Sequence, residues 1–140
     1  MQTFLPLPTY YEAMKCLDPK RLGNQVYREG LTLIRGGWKW HPASKMWKGH
    51  EYHLGLYLLA GMKVLNERGK FYPESQAKIE AEMMKFPDTG SPQWIGDERL
   101  HSSHRAALLK KNFEWYSKFG WTEPPDPLTP EGKYSYWWPT

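Results

Sequence analysis

Apolar residues recur at helical spacing along most of this chain, and no segment shows the strict alternation of a half-buried strand. The run from Asp18 to Gly36 is the clearest case. At about 100° per residue, Leu22, Val26 and Leu33 form one stripe, while Arg21, Gln25, Arg28, Thr32 and Arg35 share a polar arc beside it. Glu29 falls at the edge of that arc, in the sector of the stripe. An ionised carboxylate against apolar neighbours is costly unless it is paired, hydrogen-bonded or tuned for chemistry.

Start and stop signals divide the rest. Thr9 and Glu12 read as a capping box that opens a first helix running to about Leu17. Asp18-Pro19 opens a second, and Gly36-Gly37 ends it near Arg35. Pro42 opens a third, which extends to Arg68 with Gly69 as its cap. Tyr57, Leu58, Leu59, Met62, Val64 and Leu65 make it apolar nearly all round, as expected of a central buried helix. Glu74 to Lys85 reads as a shorter exposed helix, and Asp97 caps a last one through about Lys118, after a loop of turn-forming residues. From Gly120 the chain carries Pro124, Pro125, Pro127 and Pro130 and ends KYSYWWPT, an irregular segment whose aromatics dock on the body or on a ligand. The expected class is all-α: residues 1–140 form a single compact bundle around a central apolar helix, with an irregular Pro/aromatic tail over 120–140.

Composition narrows the partners. A chain of 140 residues can bury one real core. Lys plus Arg total 19 against 15 for Asp plus Glu, a net charge of +4 that permits a nucleic-acid partner without requiring one. Eight Trp, nine Tyr and five Phe exceed the needs of one small core, and flat rings beside Lys and Arg suit nucleobases and phosphates. The single Cys16 reads as buried and inert, and excludes an intramolecular disulfide. No signal-peptide pattern or membrane-length apolar run is present, so a soluble cytoplasmic protein is expected. No phosphate-cradling or dinucleotide fingerprint appears, and no cofactor is expected.

Several side chains are candidates for chemistry. Arg21, Arg28 and Arg35 are spaced by seven and line one face, where guanidinium groups suit phosphate oxygens. Beside them Glu29 is either the partner in a solvated ion pair or a carboxylate kept ionised for catalysis. Trp38, Trp40 and His41 can stack on an unpaired base or form a lid over the core, with Lys45 following. Ser102, Ser103, Arg105, Lys110 and Lys111 offer phosphate contacts or a solvated helix face. The pairs His50/His53 and His101/His104 lack a metal-site signature, so hydrogen-bonded structural histidines are expected and no metal.

Tyr27-Arg28-Glu29, Gly49-His50 before a long apolar helix ending Arg68-Gly69, and Trp115-Tyr116-Ser117-Lys118-Phe119-Gly120 resemble the pyrimidine-dimer DNA glycosylases of the T-even phage endonuclease V type. LDPKRLGNQ, HPASKMW, HSSHR and WWP are similar to a group of phage and bacterial relatives of that family. The resemblance spans most of residues 17 to 120. It implies a monomeric, all-helical protein of a bacterial or phage-infected cell that binds double-stranded DNA, flips a nucleotide and cleaves its glycosidic bond. In that family the free N-terminal α-amine attacks C1′ and leaves an imine, a carboxylate on the early helix assists, and β-elimination cuts the strand. An α-amine, with a pKa near 8, is partly neutral at physiological pH.

Carried over by the resemblance, Glu29 is the carboxylate, Arg28 and Arg21 hold phosphates, and Gln25 lies near the sugar or base. Trp115, Tyr116 and Lys118 form a DNA-contacting segment, and His50 is a functional candidate. Residue 2 is Gln, too large for ordinary removal of the initiator, so Met1 is expected to remain and supply the amine. Two other readings stay open: a DNA-binding module without chemistry, and an enzyme acting on a hypermodified phage base.

Overall fold

The computed structural model describes residues 2–139, and among them regular structure is entirely helical. The elements in order are α1 (Tyr10–Cys16), α2 (Pro19–Gly23), a π-helical segment (Asn24–Gly30), α3 (Leu31–Ile34), α4 (Pro42–Trp47), α5 (Glu51–Glu67), α6 (Pro73–Met83), α7 (Glu98–Lys111) and α8 (Phe113–Tyr116), followed by a 3₁₀ turn (Ser117–Phe119). Proline occupies the first helical position of α2, α4 and α6, where its missing N–H costs nothing and its φ is already helical. Helix α5 is the central element, packing against α1, α6, the π segment and α3. Leu54, Tyr57, Leu58, Met62 and Leu65 on it meet Leu22, Val26 and Met14 in one continuous core.

The all-α bundle around an apolar central helix is as the pattern predicts, but four local expectations are corrected. The expected helix from Pro42 to Arg68 is two helices, separated by a turn at Gly49 (φ +85°). His50 N–H bonds to the Trp47 carbonyl (2.7 Å) in a tight turn while the Met46 carbonyl accepts from Trp94 Nε1 (3.1 Å), so a turn bond and one long-range partner replace the helical ladder. The last helix likewise ends at Lys111. Asn112 turns extended (φ −152°, ψ 77°), and its side chain accepts from Trp115 N–H (3.2 Å) to start α8.

Neither Thr9 nor Asp18 caps with its side chain. Asp18 is buried instead and accepts from the Tyr116 hydroxyl (2.6 Å) and from Arg21 (3.0 Å), tying the head of α2 to α8. The fourth correction is the π segment itself. Helical dihedrals continue through Asn24 and Leu31, so Pro19 to Ile34 is one unbroken rod with a widened middle. Gly30 sits there against α5, where a Cβ would overlap Leu58 and the Gln25 carbonyl.

Two irregular segments complete the body. Gln2 to Pro6 is non-helical and wholly buried, an arm running between the π segment, α5 and α7. The tail beyond Gly120 docks on α7: buried Asp126 donates its N–H to the Ala106 carbonyl (3.0 Å) and accepts from the N–H groups of Leu128 and Ser135 (both 2.8 Å). Ser103 Oγ accepts from Trp137 N–H (3.1 Å). Among the described residues no helix is long and apolar enough to cross a membrane.

Candidate active site

The carboxylate that the helical projection left among apolar residues is half-buried at a junction. Gln25 and Glu29 are four residues apart in the π segment, and side chains four apart on a helix are neighbours. The two therefore meet, and Gln25 Nε2 donates to Glu29 Oε2 (2.9 Å). The other amide hydrogen of Gln25 goes to the Gln2 carbonyl, and its Oε1 accepts from Phe4 N–H (2.9 Å) and the Tyr57 hydroxyl (2.8 Å). Both donors and both lone pairs of the amide are used, which also fixes which way it points. Gln25 is only 2% exposed, and it links carboxylate, arm and central helix in one network.

The arm is gripped along its length. The single Tyr57 hydroxyl proton is shared between Gln25 Oε1 and the Phe4 carbonyl (2.7 Å), Trp47 Nε1 donates to Thr3 Oγ1 (2.9 Å), and Gln2 N–H reaches Glu29 Oε2 at 3.4 Å. Burial, and after it the charge of Glu29, raises the Tyr57 pKa well above the ordinary tyrosine value, so its hydroxyl stays a donor. Further on, His104 Nδ1 accepts from Leu5 N–H and His101 Nδ1 bonds the Leu5 carbonyl (both 2.8 Å), while Arg105 donates to the Pro6 carbonyl (2.8 Å). These contacts direct the start of the arm at Glu29. Met1, the expected nucleophile, lies outside the described residues.

Glu29 Oε2 takes both protein hydrogen bonds, and Oε1 has no hydrogen-bond partner among the described residues. No described cation lies within ion-pair distance, so the solvated ion pair with a neighbouring arginine is not formed. Clefts open on either side of the carboxylate. One, of about 180 Å³, is walled by Gln2, Phe4 and Gln25, by Lys20, Arg21 and Lys111, and by Tyr136 from the tail. The other, of about 780 Å³, is shallower and carries Arg28, Thr32, Arg35 and Trp38. The polar arc is thus split: Arg21 and Gln25 face one cleft, Arg28 and Arg35 the other, with Glu29 on the ridge between.

Other sequence candidates lie apart from this ridge. Trp40 is 86% exposed beside Trp38, whose φ of +53° is strained for a non-glycine residue. His41 caps α4 by accepting from Ala43 N–H (3.0 Å), and burial lowers its pKa. Lys45 and His50 line a separate cleft with Trp94, and His50 shares no cleft with Glu29. His53 bridges the Tyr10 hydroxyl (3.0 Å) and Asp88 (3.2 Å), and His101 and His104 bond Leu5 and Gly96, so these three histidines are structural, whereas His50 Nδ1 is buried without a partner among the described residues. Arg105 is held by Glu98, Glu123 (2.7 Å) and the Pro6 carbonyl. Tyr116 is fully buried on Asp18; Trp115 is half-buried and donates to the Cys16 carbonyl (2.8 Å), with Lys118 Nζ 3.6 Å from its ring centroid.

Three contributors escaped the helical pattern. The arm had no signal beyond its apolar TFLPL, Lys20 was hidden as the neighbour of Arg21, and Tyr136 stood among tail aromatics expected to dock somewhere. Its ring packs edge-on to Phe4 (6.4 Å) and His104 (5.6 Å), which brings residue 136 to the wall facing residue 29.

A half-buried carboxylate with a free oxygen thus lies between cation-lined clefts on an all-helical body. The family model described as pyrimidine dimer DNA glycosylase matches residues 1–80, and the chain belongs to that family. No curated protein and no solved structure matches it significantly. The family implies DNA as the substrate. The matched part contains Glu29, Gln25 and the arm, while Lys111 and Tyr136 come from outside it.

Proposed function

We propose that the protein is a DNA glycosylase with an associated lyase step, acting on a damaged or modified pyrimidine in double-stranded DNA. The observation that supports this best is Glu29 Oε1, left open on a ridge with Lys20 and Arg21 on one side and Arg28 and Arg35 on the other. A strand crossing that ridge meets cations before and after the carboxylate, and the phosphates hold the register while the nucleotide between them is turned out of the stack. Trp38 lines the second cleft, where a flat ring can fill the space the nucleotide leaves.

The chemistry needs an amine and a proton carrier. The α-amine of Met1 is one residue along the chain, at most roughly 3.6 Å, from a Gln2 nitrogen that itself lies 3.4 Å from Glu29. Its lone pair attacks C1′, the glycosidic bond breaks toward the base, and the base nitrogen takes a proton. Glu29 stabilises the cationic sugar and carries the proton from the amine to O4′ as the ring opens to the imine. The same carboxylate can then take the C2′ proton and expel the 3′-phosphate.

The test is single-turnover base release and incision on a duplex with one thymine dimer, with borohydride trapping on an abasic duplex. Wild-type protein is expected to release base and to trap covalently. Glu29→Gln is expected to lower the release rate by about 10²–10⁴-fold with duplex affinity nearly kept. Equal rates in wild type and Glu29→Gln would refute the assignment of the carboxylate.

A further inference from the structure

Trp40, at 86% exposure, is the most open large apolar side chain among the described residues, so the lid over the core that its sequence also allowed is not formed. It borders a cleft of about 540 Å³ that the catalytic reading does not use. Lys39, Lys45 and Lys48 line that cleft with it, and Glu51 is the one acidic residue on the lining. All three lysines are exposed, and none forms an ion pair with another described residue. The volume is that of a small-ligand cleft.

The ring is presented by a braced turn. The Trp38 carbonyl accepts from His41 N–H (2.9 Å), Gly37 N–H bonds the Thr32 carbonyl (2.8 Å), and Ser44 Oγ donates to the Gly37 carbonyl (3.0 Å). Trp38 holds its left-handed φ of +53° inside this frame, as a strained residue does only where its surroundings fix it. The turn thereby divides the two rings, with Trp38 in the cleft beside Glu29 and Trp40 in the next. Gly37 lines both, so the two clefts adjoin.

We infer that the Trp40 cleft is an accessory site for unpaired DNA, in which a base stacks on the Trp40 ring and the phosphates beside it meet Lys39, Lys45 and Lys48. The inference goes beyond the glycosylase reading and takes from it only the identity of the polyanion. Base faces are hidden in a duplex and open in a single strand, and an exposed ring set among cations is the arrangement that binds single strands with little regard to sequence. Lysines suit the task, being compact charges on flexible stems that follow a backbone without fixing its geometry. A ring held in water also forgoes hydrophobic stabilisation, which a stacked base restores. A strand leaving the catalytic ridge past Arg35 and Trp38 reaches this cleft across Gly37.

The experiment measures binding of the full-length protein to a duplex with one uncleavable abasic analogue, either blunt or carrying an unpaired tail of about six thymidines a few base pairs to its 5′ or 3′ side. At least one tail is expected to tighten binding about tenfold, and the gain should shrink as salt rises because the tail adds phosphate contacts. Trp40→Ala is expected to abolish the gain and Trp40→Phe to keep most of it, with thermal melting as the check of fold. Equal affinity for the blunt and both tailed duplexes overturns the proposal, and that comparison on wild-type protein stands whether or not a variant folds. Weakening of blunt and tailed duplexes alike by folded Trp40→Ala makes the ring a contact to paired DNA and overturns it as well. No base is released in this assay, so the glycosylase reading stands or falls separately, on the thymine-dimer duplex.

Discussion

The N-terminal arm is held by two polar grips that differ in one respect. Gln25, Glu29 and Tyr57 hold residues 2–4, and His101, His104 and Arg105 hold residues 5 and 6. The second grip is sealed: both histidines are 0% exposed, and Arg105 is closed off by Glu98 and Glu123. The first opens on clefts to either side and leaves a carboxylate oxygen unbonded. Each grip keeps one unpartnered polar atom, but His104 Nε2 is sealed in the core whereas Glu29 borders two clefts that a ligand can enter. Ionisable side chains occur in both, so it is access that separates a site from a clamp.

Breaking the open grip should have the largest effect. Gln25→Leu removes four hydrogen bonds at one stroke and leaves the Phe4 N–H and Gln2 carbonyl without their partner. Urea melts should show a loss of at least about 3 kcal/mol, and base release from a thymine-dimer duplex should fall well beyond the fraction unfolded. Loss of stability alone, with unchanged turnover by the folded fraction, would show that the arm does not couple to the chemistry.

The sealed grip should respond to acid instead. Burial, and after it the neighbouring His101, lowers the His104 pKa to about 3, against about 6.5 for an unfolded histidine. Below pH 6.5 the unfolded chain therefore binds the proton that the folded one refuses. The stability this neutral ring supports is complete above pH 6.5 and is lost as pH falls toward 3. The slope approaches about 1.4 kcal/mol per pH unit, or about 2 kcal/mol by pH 5. His104→Gln should flatten that slope in urea melts taken between pH 7 and 5, and an unchanged slope would contradict the assignment.

The smallest contrast is between two arginines. Arg28→Ala should weaken binding to undamaged duplex by about tenfold and reduce the salt slope of log affinity by about one. Arg105→Ala should leave that slope alone and appear in melting, because its guanidinium serves Pro6, Glu98 and Glu123. Equal salt slopes for the two variants would erase the distinction between open and sealed grips.

The helices themselves were legible in the chain because their causes are local. Apolar spacing, Pro19 and Pro42 at first turns, and Asp97 accepting from Arg99 N–H act within a few residues of where they stand. Arg21, Arg28, Arg35 and Glu29 were singled out for the same reason, as a row of charges on one helix. Tertiary structure decided what that row does. Gly30 lets the rod pack against Leu58, and the packed fold sets Gln25 and Glu29 against the arm and puts Arg21 and Arg28 in different clefts. Arg105 and Tyr116 were equally plausible DNA contacts until their partners, 18 and 98 residues away, were seen.

Periodicity in this sequence thus determined an all-helical body and a carboxylate set among arginines. Contacts between distant residues determined that the carboxylate meets a buried arm, that Lys111 and Tyr136 complete its cleft, and that one oxygen remains open. Helix propensity and capping are paid within a turn or two of chain, but the partner of a buried polar group is whichever group the packed core brings near, and no local pattern encodes it.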